Sequence, residues 1–550
     1  METFERIIFT LESIVWNFPE SVFGYQSLPL LVIVILGFGI FITIRLGFVQ
    51  LFQFKQAFRV LSGKYDDPKD TGDINHFQAL TTALSATVGV GNIAGVALAI
   101  HVGGPGALFW MWVTAVFGMA IKYTECTLGA HYRQKNVDGT VSGGPMYYIE
   151  KGLGPNWKWL AILFAIAGSI CALLTGNAIQ ANTLADVMLT EFNIPVHITG
   201  FITATLVAAV ILGGIKRIGY VTARLVPLMA VMYVLGGLII LLIHYDQIIP
   251  GFITIIGNAF NPQAGVLGVG SGALILTLTY GVQRGLFSNE AGQGSSPIAM
   301  AASKTEEPVH AGLVGLLGPF IDTLVVCTIT GLVIVVTGAW DSYHKTNLDP
   351  GGPNLVYITE SPDQYQIIFE NGLPVNGQMQ RYSVPVDTMF VDPEYSVPFN
   401  GLIDISQRAS AFDESGLPVG RLYGGVVENV ASLTSAAFAN GLRPLMPGGQ
   451  FIVTLAVFFF VISTSISWSY YGERSIHYLL GQKSIFTYRL IFVGMHFFGA
   501  VVSVSVIWSF GDVMLGIMAF TNIIGLIALS GVIYKITRKY VQDQNNLNDR

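Results

Sequence analysis

The chain has 550 residues, 52% of them hydrophobic and only 11% charged, with a mean hydropathy of +0.59 and a formal net charge of −6. A soluble domain carries about 25% charged residues, so this composition excludes a soluble fold and places the chain in a bilayer. The lack of a basic block argues against nucleic acid as a partner.

In chain order, the acidic segment 1–27 carries Glu2, Glu5, Glu12 and Glu20 and has neither a basic start nor a small-residue cleavage site. It does not read as a signal peptide, so the first span acts as an uncleaved signal. Eleven apolar runs then approach the ~20 residues that cross ~30 Å of hydrocarbon. They cover 28–49, 78–101, 104–130, 159–184, 198–214, 222–244, 264–300, 311–338, 449–471, 485–507 and 512–534. Cys126, Cys171 and Cys327 lie inside such runs without metal-ligand spacing and read as small buried side chains.

An odd number of spans puts the termini on opposite sides, and the positive-inside rule assigns them. Lys55, Arg59, Lys64 and Lys69 occupy loop 50–77; alternate later loops hold Arg133 and Lys135, Lys216 and Arg217, Lys304, Arg474 and Lys483, and the tail 535–550 holds Lys535, Arg538 and Lys539. The other side shows Asp186, Glu191, Asp246 and the long segment 341–447, with twelve acidic against five basic residues. The expectation is an inner- or plasma-membrane protein with its N-terminus outside and its C-terminus cytoplasmic. The segment 341–447, with short alternating stretches such as 382–391, reads as an irregular or β-containing extracytoplasmic cap.

Two spans are interrupted. The second reads TTALSATVGVGNIAG over 81–95, with three glycines and an asparagine near mid-depth. Each glycine weakens a helix by about 1 kcal/mol relative to alanine, and non-helical backbone at membrane depth is tolerated only inside protein or around a cavity. The same glycines also suit close helix packing. Gly89 to Ala94 match GxGxxA by letter, but no strand precedes them, so a dinucleotide loop is excluded. The seventh span reads GVQRGLFSNEAGQGSSP over 281–297, and its Arg284 and Glu290 are expected to face the protein interior, paired with each other or with a backbone terminus. Interruptions five spans apart are the mark of a 5+5 inverted repeat whose ligands sit at the broken helices. This predicts an all-α polytopic protein: an extra helix 28–49, a first repeat over 78–244, and a second over 264–338 and 449–534.

Six motifs carry a family resemblance: TALSATVGVGNIAGVA (82–97), GGPGALFWMWVTAVFGMAIKYTE (103–125), GGPMYYIEKGLG (143–154), TGNAIQAN (175–182), GLFSNEAGQGSSPIA (285–299) and WSYYGERSIHYLLG (468–481). The chain resembles the alanine or glycine:cation symporter family, sodium-coupled carriers with a LeuT-like fold. The resemblance implies a symporter, not an enzyme, that carries a small neutral amino acid with sodium as coupling ion and no other cofactor. Segment 341–447 departs from it, being much longer than the family's usual loop, and its partner is unknown.

The sodium ligands expected are backbone oxygens of Ser85 and Val88, with hydroxyls of Ser463 and Thr464 assigned by the resemblance; each hydroxyl could instead back-bond to its own helix. A substrate carboxylate belongs at a half-helix start, which Gly89, Gly91 and Asn92 provide, with side-chain oxygens of Thr87 and Asn92 added for the substrate or for a second ion. The ammonium falls to Phe287, Ser288 and Asn289. Asn177 and Gln180 share a helix face as candidate ligands or as a helix–helix bond, and Trp468 walls the pocket or anchors at the interface. Asp322 is an intramembrane acid, functional or structural. The alternatives are a transporter-like amino-acid sensor and a proton-coupled carrier of a related small amino acid. An intramembrane enzyme lacks a motif, since His496 alone lies well inside a span.

Overall fold

The computed structural model describes residues 2–19, 22, 29–261, 272–352, 355–359, 361, 364–381, 384–386, 388–406, 409–426, 430–502 and 505–548. It is predominantly helical, and among the described residues seven helices are long and apolar enough to cross a membrane. A pair bent by 53°, His76–Thr87 and Gly91–Gly103, makes eight. These eight coincide with eight of the eleven expected runs. Two others, Leu30–Arg45 and Val196–Ile211, are apolar helices of 16 residues each, which reach only ~24 Å at 1.5 Å per residue. The remaining run, 264–300, is split: 264–271 lie outside the described residues, and the rest forms Gly272–Asn289 and Ser296–Met300.

Each interruption has a local cause. Asn75 caps the first half-helix in a reciprocal capping box, accepting from the Gln78 amide at 2.8 Å while the Gln78 side chain accepts from the Asn75 amide at 3.1 Å. The helix ends at Val88, whose ψ of 90° is extended, and the chain restarts as a π-turn over Gly91–Gly95. In the second interruption Glu290, Gly292 and Gly294 take φ of 54°, 83° and 78°, left-handed values that stop the helix at Asn289.

On the side carrying the basic loops, the two broken helices are joined. The amides of Asp73 and Ile74 donate to the Ala302 carbonyl at 2.8 and 3.2 Å, and that of Lys304 donates to Ile74 at 2.8 Å. Gly72, at φ 147°, sits where a Cβ would lie 2.5 Å from the Lys304 nitrogen, so only glycine permits the approach. Arg133 donates to the carbonyls of Thr71, Ala301, Ser303 and Thr305 around this junction. Burial pushes the nearby Asp73 carboxyl above its ordinary value, although the Val141 amide donates to it at 3.0 Å.

Segment 341–447 contains β-structure, built around a core of its own that includes Leu348, Ile367, Phe369, Phe399 and Ile403. Among the described residues it holds three sheets, all antiparallel. His344–Leu348 and Leu422–Val426 pair with Leu348 opposite Leu422, so the segment leaves and re-enters the bundle through adjacent strands. Within the alternating stretch 382–391, Val384–Pro385 and Met389–Phe390 are strands, while 382, 383 and 387 lie outside the described residues. The end of the segment differs from the expected soluble cap. Val430–Leu442 is an apolar helix that buries Leu433, Ala437 and Phe438, and its Thr434 hydroxyl donates to the Ile93 carbonyl at 3.0 Å. At 13 residues it is too short to read as a span. Glu2–Asn17 and Tyr245–Phe260 are further helices outside the expected runs.

Candidate functional site

The two interruptions face each other. A Cβ on Gly91 would touch both the Phe287 ring and the Ser288 Cα at 3.9 Å, so small residues let the two chains meet without a side chain between them. Asn92 bridges them: its Oδ1 accepts from the Gly89 amide at 3.0 Å, and its Nδ2 donates to Asp322 Oδ1 at 2.5 Å and to Ser288 Oγ at 3.3 Å. Asp322 Oδ2 accepts from Ser288 at 2.7 Å and from Thr323 at 2.9 Å. This carboxylate is fully buried and meets no Lys, Arg or His at ion-pair distance among the described residues. It sits in a second π-turn, Phe320–Cys327, and such turns frequently mark functional sites.

On the other side of the first interruption lies Gln450–Leu480, with Ser463 and Thr464 buried. Thr464 Oγ1 donates to the Ser85 carbonyl at 3.1 Å, and Ser85 Oγ donates to the Ser463 carbonyl at 2.6 Å. Thr464 Oγ1 is so close to Gly89 that an added Cβ would lie 2.8 Å from it. Thr464 thus joins the Ser85 carbonyl beside the chain turn at Val88. Ser463 instead donates to its own helix at Phe460, 3.0 Å away, which is the back-bonded alternative.

Between these elements is a cavity of about 40 Å³ whose lining includes Thr87, Gly89, Gly91, Phe287, Thr464 and Trp468. A water needs roughly 10–15 Å³ of such volume, so the space suits a ligand of few heavy atoms. Trp468 is buried, as a pocket wall and not an interfacial anchor. It packs so tightly on Gly176 that a Cβ there would lie 2.3 Å from its ring. Thr175 and Gly176 belong to a third π-turn, Leu174–Ala178, which widens the helix and turns Thr175 and Gln180 to the cavity.

Three polar atoms of the lining are buried without a hydrogen-bond partner: Thr175 Oγ1, Gln180 Oε1 and Gln293 Oε1. Buried polar atoms are rarely left so, and these three converge on one cavity.

Other expected residues lie elsewhere. Asn177 turns away, donating to the Phe492 carbonyl at 2.7 Å and bonding His496 Nδ1 at 2.7 Å, a helix–helix bond. Asn289 caps its own turn through the Ala291 amide at 3.0 Å. Arg284 and Glu290 do not pair with each other: the Arg284 guanidinium lies 5.6 Å from the Phe287 ring centre, its Nε unbonded, while Glu290 accepts from Ser295 and lines the cavity. Asp512 is the carboxylate that acts most strongly on Arg284. Thr175 and Gln293 were absent from the expected set, although both lie inside the motifs 175–182 and 285–299.

The profile of the sodium:alanine symporter family matches residues 10–351 and 420–550. The chain is 41% identical to the sodium/alanine symporter AgcS of Methanococcus maripaludis, over 99% of this chain and 98% of that protein. It is 37% identical to an uncharacterized transporter of Haemophilus influenzae over 98% and 97% of the two chains, and 31% identical to the amino-acid carrier protein AlsT of Bacillus subtilis over 93% and 89%. The chain is a multi-pass membrane protein that belongs to the sodium:alanine symporter family.

Proposed function

We propose that the protein couples sodium influx to uptake of a small neutral amino acid, alanine or glycine, by alternating access. The observation that carries this reading is the small buried cavity at the meeting of two broken helices, lined by unpartnered polar atoms. The half-helix beginning at Gly91 offers the positive end of its dipole to the substrate carboxylate. Sodium, carried as a co-substrate, is held by the Ser85 carbonyl and the Thr464 hydroxyl, already 3.1 Å apart, with Val88 and Ser463 completing the shell after Ser463 releases its own helix.

The same reading includes eleven spans with an extra first helix, a 5+5 inverted repeat of LeuT type, and an N-terminus outside. Sodium favours the outward-open arrangement, and rocking of the helices around the site then delivers both ligands to the cytoplasm. The direct test is uptake of labelled alanine into vesicles that contain only the purified protein. Accumulation should require an inward sodium gradient; uptake that is indifferent to sodium rejects the reading, and binding without accumulation identifies a sensor.

The family profile skips residues 352–419, and the strands flanking that stretch pair Leu348 with Leu422. Replacing 349–421 with a two-residue Asn-Gly hairpin turn should therefore leave sodium-driven uptake within about threefold of the parent. A complete loss would make the cap part of the transport machinery.

A further inference from the structure

Gln293 lies in the left-handed turn between Gly292 and Gly294, inside the second interruption, and is 3% exposed. Its amide can be oriented from its bonds. Nε2 donates to the Leu286 carbonyl at 3.1 Å, in the last turn of the preceding helix, and this fixes Oε1 toward the cavity, where it has no partner. A carbonyl oxygen accepts and cannot donate, so the complementary ligand group is a donor. The Glu290 carboxyl group also lines the cavity. Across the space, the Gly89 to Gly91 turn presents the start of a half-helix, which prefers an anion. One wall thus favours a donor and the other an anion.

We infer that Gln293 accepts a hydrogen bond from the substrate's ammonium group, with the Glu290 carboxyl group lining the same cavity. This rests on the reading of the cavity as the amino-acid site and orients the zwitterion within it: carboxylate toward Gly89 and Gly91, ammonium toward the turn 290–293. It moves the ammonium contact beyond Phe287, Ser288 and Asn289, two of which are bonded elsewhere. The chemistry selects an α-ammonium with free N–H groups, and propionate, which has no donor at that carbon, would leave the Gln293 oxygen buried and unpaired.

The test separates a ligand contact from a merely structural cap on Leu286. Gln293→Met removes both donor and acceptor, whereas Gln293→Glu keeps acceptors and discards the donor to Leu286. Alanine affinity is measured on the full-length purified protein by displacement of labelled alanine in saturating sodium, alongside the sodium response and the unfolding temperature. We expect Met to weaken alanine binding about tenfold or more and Glu to stay within about threefold, because a hydrogen bond to a charged group is lost only in the first. The sodium response should not move in either variant. Unchanged affinity in the Met variant overturns the inference, as does equal weakening in both. If the Met variant does not fold, Gln293→Asn, which withdraws the oxygen by one carbon, takes its place with the same expectation. Failure of the parent protein to bind alanine in sodium would instead reject the amino-acid reading of the cavity.

Discussion

Thr464→Ala is expected to raise the sodium concentration for half-maximal uptake by about tenfold or more, because one oxygen is lost from a buried cation site where contacts to charge contribute roughly 1.5–3 kcal/mol each. The substitution removes the hydroxyl 3.1 Å from the Ser85 carbonyl and adds no bulk. Alanine affinity at saturating sodium should change little, since neither charged end of the substrate is assigned to Thr464. Thr464→Ser keeps the oxygen and should behave as the parent. The measurement is a sodium titration of labelled-alanine uptake into vesicles for all three proteins. A sodium curve that does not move on Thr464→Ala removes this residue from the ligand set and leaves the Ser85 carbonyl with only a structural partner.

The interruptions were legible in the sequence because glycine acts through backbone propensity, which is a local property. Gly89, Gly91, Gly292 and Gly294 mark the two places where the helix stops, and residues around them line the cavity. The π-turns at Leu174–Ala178 and Phe320–Cys327 were not legible. A π-turn inserts one residue into a helix whose composition stays helical, and here it rotates Asn177 to His496 while Gln180 reaches the cavity. The periodicity of 3.6 that placed both on one face does not hold across it. The partner of Arg284 failed for another reason. Proximity in sequence suggested Glu290, but the five residues between them include the end of the helix, and the carboxylate that acts most strongly on the arginine is Asp512 on a distant span. Val430–Leu442 escaped because span length, the strongest membrane signal, says nothing of a short apolar helix that packs inside the bundle.

Asp322 provides the sharpest case of a residue whose charge and shape can be separated. Its two oxygens accept from Asn92, Ser288 and Thr323, and so tie both interruptions to the span Pro308–Val336. Asp322→Leu leaves three donors facing an apolar side chain, at about 1–3 kcal/mol for each that finds no new partner. The hydroxyls of Ser288 and Thr323 can rotate to other acceptors, whereas the Asn92 amide is held by its bond to the Gly89 nitrogen. The cost therefore falls on Asn92, the residue that sets the geometry of the first half-helix. Uptake should drop about a hundredfold or more, with a lowered unfolding temperature, since each 1.4 kcal/mol of misplacement is a factor of ten. Asp322→Asn keeps one oxygen for Asn92 and offers its own amide to the two hydroxyls, so it should fold like the parent and recover much of the loss. Uptake and unfolding measured together on both variants decide the matter. A Leu variant as active as the parent would show that the first half-helix holds its shape without the carboxylate, whereas an Asn variant that folds normally yet fails to transport would show that the negative charge itself is required during the cycle.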